Sequence, residues 1–171
     1  VIDGNDGRGI DIAFLVKKDL PFDVEMQSYK NITHINATGI TEKLFSRDLP
    51  VVYIRKAGDK GDPLAIFMGT HFKSQRDKPG DVRSVLLRTE QVQETARIKD
   101  AIEKKFPHTP IFLLGDFNAD IRSAPEFQPL WQSGFKDSFD LSPKPLATNE
   151  RATQVFFPQG AAPIPDQLDA V

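Results

Sequence analysis

The sequence contains no cysteine, which excludes disulfide bonds and thiolate metal sites. It also has no long hydrophobic run: no apolar stretch approaches the ~18 residues that span a bilayer, and we expect no stable membrane insertion. The first six residues, Val-Ile-Asp-Gly-Asn-Asp, lack a methionine and the basic and apolar regions of a signal peptide. No repeat, low-complexity tract or shift in composition marks a domain boundary, so residues 1–171 are expected to form a single domain.

The composition is that of a globular protein, with 39% hydrophobic and 27% charged residues among 171. That length is sufficient to bury a hydrophobic core. Acidic and basic residues nearly balance, at 24 and 22, and the pI is near 5.9. This balance excludes a surface coated with positive charge, but a local basic cleft would still suffice to bind nucleic acid.

Hydrophobic patterning predicts alternating strands and helices. Strands are expected at 9–17, 24–35, 50–55, 64–72, 111–114, 153–157 and 167–171. A long helix is expected at 82–106, capped by Asp81 and stopped by Pro107, and a short one at 125–132. A polar, glycine-rich hairpin loop separates 50–55 from 64–72, and a proline-rich loop occupies 158–165. This order predicts a layered α/β fold with a mixed sheet.

The strongest chemical signal is Gly115-Asp116-Phe117-Asn118, which follows a short buried strand. Alternation along an extended chain places Asp116 and Asn118 on the same side. A carboxylate can hold a metal or orient a water, and a carboxamide can donate a hydrogen bond to a phosphoryl oxygen. A simple Asx turn after the strand explains the spacing equally well.

A second signal is Thr70-His71-Phe72-Lys73, at the end of another buried strand. Histidine transfers protons or stabilises charge near neutral pH, and Lys73 can attract an anion. Taken alone, His71 is better explained as a hydrogen-bonded structural side chain. The arginines of the long helix, Arg83, Arg88 and Arg97, are expected on a solvated face.

Together these segments resemble the endonuclease/exonuclease/phosphatase superfamily, whose prototype is the pancreatic-type deoxyribonuclease. Gly115-Asp116-Phe117-Asn118 is similar to its most diagnostic motif, and Thr70-His71-Phe72 to its Asn/Thr-His-Leu/Phe motif. Residues 45–52, which include Arg47, resemble the segment whose arginine touches substrate phosphate. Residues 167–171 resemble the family's Gln/Arg-Ile/Leu-Asp-Tyr-Ile strand. Segments 9–13 and 71–74 are most similar to bacterial extracellular nuclease-like members. The resemblance implies a four-layer α/β sandwich with two mixed β-sheets.

Two parts of the family pattern have no counterpart in the sequence. The upstream metal-binding glutamate and the closing Ser-Asp-His motif are both absent from residues 1–171. We therefore expect an internal fragment of a longer domain, with the fold incomplete at both termini. We also expect this chain alone to bind metal weakly and to be inactive.

The resemblance implies a role for each matching residue. Asp116 orients or deprotonates the attacking water and is a metal ligand, and Asn118 binds the phosphate. His71 sits beside the phosphate as a donor or acid, and Asp169 orients a histidine. Arg47 binds phosphate through its planar fork of donors. Viewed singly, Asp169 is also typical of a solvated strand residue, and Arg47 with Asp48 of an ordinary turn. Oxygen ligands without cysteine favour Mg²⁺, with Mn²⁺ or Ca²⁺ as alternatives, over Zn²⁺.

The function that the resemblance favours is a metal-dependent nuclease. Lys73, Arg76, Lys78 and Arg47 would then form a basic rim for nucleic acid. The same motifs serve phosphodiesterases and phosphatases acting on phospholipid or inositol phosphate, and a non-catalytic binding module is a third alternative. The resemblance slightly favours a secreted or periplasmic protein. The sequence carries no indication of the oligomeric state.

Overall fold

The computed structural model describes residues 3–75, 82–144, 146–156, 159–160 and 162–170. In these ranges the strands are β1 (Phe22–Gln27), β2 (Thr33–Ile35), β3 (Thr41–Lys43), β4 (Val51–Lys56), β5 (Ala65–His71), β6 (Ile111–Asp116), β7 (Gln154–Phe156), β8 (Ile164–Asp166) and β9 (Asp169–Ala170). The α-helices are α1 (Arg83–Lys105) and α2 (Gln128–Gln132), and short 3-10 turns occupy Pro125–Phe127, Ser138–Leu141 and Thr148–Glu150.

Five strands form one mixed sheet in the order β1-β4-β5-β6-β9. Strand β5 pairs with β6 in parallel, and the other three pairings are antiparallel. The parallel pair is connected through α1, as parallel strands require a crossover. Two further pairs, β2-β3 and β7-β8, form two-stranded sheets. The predicted α/β class with a mixed sheet is confirmed.

The central elements agree closely with the sequence prediction. The β4-β5 hairpin, α1 and β6 form where apolar runs are bounded by Pro50, by the glycine-rich loop, by Pro107 and by Pro110. Lysines Lys104 and Lys105 lie in the last turn of α1, where cations interact favourably with the helix dipole. Asp81, the predicted cap, lies outside the described residues.

The two faces of the central sheet differ in how they are covered. The helical face packs with α1 and α2 into the core, and its side chains are Val51, Tyr53, Ile66, Met68, Thr70 and Leu113. The rings of Tyr53 and Phe106 pack edge to face, with their centroids 6.0 Å apart. The other face, here called the open face, carries Phe22, Val24, Phe67, Phe112 and Leu114. Phe22, Val24 and Phe112 are 40%, 44% and 38% exposed.

The strand predicted at 9–17 is wrong, because these residues join no sheet. The segment instead lies over the open face, where Ile12 and Phe14 pack against Gly69. A Cβ at Gly69 would lie 2.9 Å from Ile12 Cγ2 and 3.0 Å from Phe14 Cε2, so the glycine permits this close approach. The alternating pattern therefore reflects alternate burial without ladder hydrogen bonding.

The strand predicted at 24–35 is interrupted between β1 and β2. The buried Asp48 carboxylate accepts hydrogen bonds from Ser28 Oγ at 2.7 Å and the Tyr29 N–H at 2.8 Å. The same carboxylate accepts from the Leu49 N–H at 2.6 Å. This local competition with the ladder turns the chain after Gln27.

The C-terminal part differs from prediction in two places. The proline-rich loop predicted at 158–165 contains the first residues of β8, which pairs with β7 through Phe156↔Ile164 and Gln154↔Asp166. The predicted strand 167–171 is reduced to β9, and Phe157, Pro158 and Val171 lie outside the described residues.

The predicted helix at 125–132 begins as a 3-10 turn and becomes α-helical at Gln128.

Arg88 corrects the prediction of a solvated face on α1. Its side chain is 2% exposed, whereas Arg97 is 67% exposed and Arg83 is also exposed. Arg88 pairs with the equally buried Glu126, with Nη2 and Oε1 2.6 Å apart.

No helix in the described ranges has the length and apolar character needed to cross a bilayer.

Candidate active site

His71 and Asp116 end the two parallel strands of the central sheet. They are register partners, so both side chains lie on the open face. His71 Nε2 is 3.6 Å from Asp116 Oδ2, and the side chains are 27% and 37% exposed. An imidazole and a carboxylate thus share one solvent-accessible position at the edge where β5 and β6 end.

Asp169 lies next to this pair. It is the antiparallel register partner of Asp116, which places the two side chains on the same face. The backbone N–H groups of Leu168 and Asp169 both lie 3.0 Å from Thr153 Oγ1, which anchors the start of β9. His71, Asp116 and Asp169 therefore follow one another across three neighbouring strands.

The sequence left two explanations for the spacing of Asp116 and Asn118, a chemical role and a simple Asx turn. The turn after β6 is compatible with both. The Asn118 N–H donates to Asp116 Oδ1 at 2.8 Å, which is an Asx turn. The turn leaves Oδ2, the oxygen that faces His71, outside this hydrogen bond. Asn118 has φ +57°, a left-handed conformation that asparagine tolerates better than most residues. The turn thus orients the Asp116 carboxylate.

Asn118 and Arg47 meet at the same backbone carbonyl. Asn118 Nδ2 donates to Phe72 O at 2.9 Å, which engages one of the two N–H bonds of the amide. Arg47 Nη1 donates to the same oxygen at 3.5 Å. Because Phe72 directly follows His71, the carbonyl links both donors to the end of β5.

Arg47 is buried, which corrects its predicted place on an exposed basic rim. The residue is 7% exposed, and its Nε lies 3.6 Å from Asp6 Oδ2, with no hydrogen-bond partner among the described residues. A buried donor of this kind is rare in folded proteins. Of the other rim residues, Lys73 is half-buried, and Arg76 and Lys78 lie outside the described residues.

Asp6 is a member of the site that the sequence analysis did not find. Its carboxylate accepts from Arg8 Nε at 2.9 Å and from Arg8 Nη2 at 2.8 Å, and it faces Arg47 on the other side. The hydrogen bonds from Arg8 hold the pKa of Asp6 well below its usual range. The Asp6-Gly7 dipeptide, a turn signal, was the available clue.

Burial lowers the pKa of the His71 imidazole below its ordinary value of 6.5, and the nearby Arg47 guanidinium lowers it further. The Asp116 and Asp6 carboxylates oppose this shift. The net shift favours the neutral imidazole, in which one ring nitrogen donates and the other accepts a hydrogen bond.

Replacing Arg47 by methionine should raise the pKa of His71, because the variant removes a positive charge that disfavours imidazolium. The measurement is an NMR titration of the His71 ring protons. Arg97→Met, on the exposed side of α1, is the matched control and should leave the midpoint unchanged. A midpoint that stays constant or falls in Arg47→Met would contradict this assignment.

The described residues contain no group of three or more histidine, aspartate or glutamate side chains that could hold a metal ion. Asp116 is the one ligand that the resemblance implies here, and the upstream glutamate that the family uses has no counterpart in the sequence, so the implied ligand set is incomplete. The part of the chain that is described thus does not by itself fit a bound Mg²⁺.

Comparisons with known proteins leave the family open. No family model matches the sequence, and no curated protein matches it. A solved structure described as the crystal structure of beta toxin 275-280 from Staphylococcus aureus matches with a TM-score of 0.36 and 22% identity. The match covers 52% of this chain and 30% of that one. Similarity of this extent does not define a shared function.

Proposed function

We propose that this chain belongs to a phosphoester hydrolase of the endonuclease/exonuclease/phosphatase type, with a nucleic acid phosphodiester as its substrate. The observation that carries the proposal is the pairing of His71 with Asp116 at the ends of two adjacent parallel strands, beside the buried Arg47. The four sequence motifs that resemble the superfamily, three of which contain these residues, also support it.

Phosphate binding is the first step, and the site offers donors for it. Arg47 Nε is a charged donor with no hydrogen-bond partner in the described part of the chain, and the second N–H of Asn118 Nδ2 is not used by Phe72. Guanidinium groups form short, strong hydrogen bonds to phosphate oxygens. Neutral His71 adds an uncharged N–H donor, and we assign it to a phosphoryl oxygen in preference to the role of acid.

Hydrolysis requires an activated water, which we assign to Asp116. The water oxygen forms a bond to phosphorus as the bond between phosphorus and the ester oxygen breaks. The water proton moves to the Asp116 carboxylate, and the leaving oxygen takes a proton from solvent water. Asp116 Oδ1 is occupied by the Asn118 N–H, so Oδ2 is the oxygen that accepts this proton. Asp169, on the adjacent strand, is proposed to orient a histidine, by resemblance.

Magnesium, or Mn²⁺ or Ca²⁺ in its place, belongs to the proposal through the resemblance alone. A divalent ion would neutralise charge on the phosphate when bound. Because the described residues do not by themselves fit such an ion, every step above is assigned to side chains of the chain, and we expect residues 1–171 alone to show little or no turnover.

The finer fold proposal is the four-layer sandwich. Its support is the contrast between the two faces of the central sheet, one packed on helices and the other apolar and partly exposed. Sheets with one polar face alternate strictly, whereas strands covered on both faces are apolar throughout. A second sheet over Phe22, Val24 and Phe112 would complete that arrangement.

The test begins with the binding of inorganic phosphate to the purified chain by calorimetry. Arg47→Met should weaken binding about tenfold or more, since a hydrogen bond from a charged donor contributes ~1.5–3 kcal/mol. Arg97→Met should bind phosphate like the original chain. Absence of phosphate binding by the original chain would contradict the proposal.

Substrate class is decided by cleavage assays of the full-length protein with and without Mg²⁺, because residues 1–171 alone are expected to be inactive. We expect cleavage of an oligonucleotide, with affinity that falls steeply as salt increases. Cleavage of inositol phosphate or a phospholipid headgroup instead would replace the nuclease proposal with the lipid-directed alternative. Phosphate binding without any cleavage would favour a non-catalytic binding module.

A further inference from the structure

Gln91 is a polar side chain on the buried side of α1, and it is 1% exposed. Both ends of its amide are bonded to backbone groups outside its own helix. Its Oε1 accepts from the Lys73 N–H at 2.9 Å, and its Nε2 donates to Leu44 O at 2.8 Å. Gln91 therefore bridges two segments that are distant in sequence.

Each bridged segment carries a residue of the candidate active site. Lys73 follows Phe72, whose carbonyl accepts from both Arg47 and Asn118, and Phe72 follows His71. Leu44 begins the buried segment that leads to Arg47. The Gln91 amide thus sets the separation between the backbone of Arg47 and the end of β5.

Arg88, one helical turn before Gln91, contacts the backbone carbonyl of the same residue, Lys73. Its Nη1 donates to Lys73 O at 2.7 Å, while its Nε and Nη2 donate to Glu126 Oε1 at 2.9 and 2.6 Å. Helix α1 therefore contacts both the N–H and the carbonyl of Lys73. A buried amide or guanidinium is costly unless its hydrogen bonds are satisfied, so these contacts are strongly favoured over alternatives.

We propose that Gln91 is a positioning residue for phosphate binding and cleavage, acting through the Lys73 and Leu44 backbone. The inference rests on the proposed function, because the groups it positions are Arg47, His71 and the Phe72 carbonyl. Misplacement of binding groups by about 1 Å can reduce turnover by ~10²-fold, so a bridge of this kind affects catalysis without touching substrate.

The test is Gln91→Met, which keeps the length and burial of the side chain and removes both hydrogen bonds. Thr95→Val is the matched control, since Thr95 is fully buried one turn later and its hydroxyl bonds, among the described residues, to Gln91 O of the same helix. If Gln91→Met does not fold, Gln91→Asn is the second variant. It keeps the amide group, but its side chain is too short to reach both segments.

Three measurements separate positioning from stability: amide hydrogen exchange at Lys73, calorimetric binding of inorganic phosphate, and kcat/KM of the full-length protein for bis(p-nitrophenyl) phosphate. In Gln91→Met we expect faster exchange at Lys73, weaker phosphate binding and a kcat/KM lowered by about 10- to 10²-fold. Thr95→Val should lose stability with unchanged phosphate binding.

The outcomes distinguish the two proposals. If the original chain binds phosphate, and Gln91→Met matches Thr95→Val in both exchange at Lys73 and phosphate affinity, the positioning role is wrong and the proposed function stands. If the original chain binds no phosphate, the proposed function fails and the positioning role with it.

Discussion

In the full-length protein, replacing Asp116 by asparagine is expected to lower phosphodiester hydrolysis by ~10²–10⁴-fold, the scale of a positioned acid–base group. The amide has nearly the same shape, and its oxygen can still accept from the Asn118 N–H, so the turn should persist. The amide cannot take a proton from water. Phosphate binding should be unchanged or tighter, because a negative charge near the anion is removed.

A suitable control for that variant is Asp59→Asn. Asp59 Oδ1 accepts from the Gly61 N–H at 2.8 Å in the hairpin loop, the same kind of contact that Asp116 makes. Hydrolysis by Asp59→Asn should equal that of the original chain, and circular dichroism should show both variants folded. A near-normal rate in Asp116→Asn would mean that Asp116 is only a turn residue.

Replacing Gly115 by alanine should prevent stable folding, with a loss of about 4 kcal/mol or more in the free energy of unfolding. Gly115 has φ +135°, and an added Cβ would lie 2.0 Å from Thr70 O on the neighbouring strand. That oxygen is backbone in the middle of the sheet, so it cannot move without breaking the β5-β6 pairing. Urea unfolding followed by circular dichroism measures the loss.

Gly58→Ala separates backbone strain from this clash. Gly58 also has a positive φ, +76°, but an added Cβ would have nothing within 4 Å. Its cost should be limited to the left-handed conformation, ~1–2 kcal/mol. If Gly115→Ala were no more destabilising than Gly58→Ala, the close contact with Thr70 would not be a constraint on the fold.

The elements that sequence patterning predicted well share one property. Strands β4, β5 and β6 and helix α1 are apolar elements bounded by proline or glycine, so burial and chain geometry act in the same direction. For the same reason, His71 and Asp116 could be placed at strand ends before the pairing of those strands was known.

The errors arise where a single distant contact decides the local structure. The segment 9–17 has strand-like alternation, yet its side chains pack on Gly69 while its backbone finds no partner strand. The strand predicted at 24–35 ends at Gln27, because the carboxylate of the distant Asp48 accepts hydrogen bonds from Ser28 and Tyr29. Local pattern carries no information about such partners.

The candidate site also contains residues that local sequence patterns reveal and residues that they do not. Its motif residues could be found in the sequence, but Asp6 and Gln91 could not, because their importance lies in which backbone or guanidinium they meet. Arg88 was assigned to solvent on composition, since arginine is rarely buried unless paired. Its partner Glu126 comes from a turn beyond β6.

Parallel pairing of β5 with β6 makes the site a product of the completed fold. His71 and Asp116 meet only after α1 has crossed over, so a partly folded chain has no reason to hold them together. A phosphate ion that binds there binds the native state alone, and it must stabilise that state as its concentration rises. The resistance of this chain to unfolding would then depend on the anion content of its surroundings.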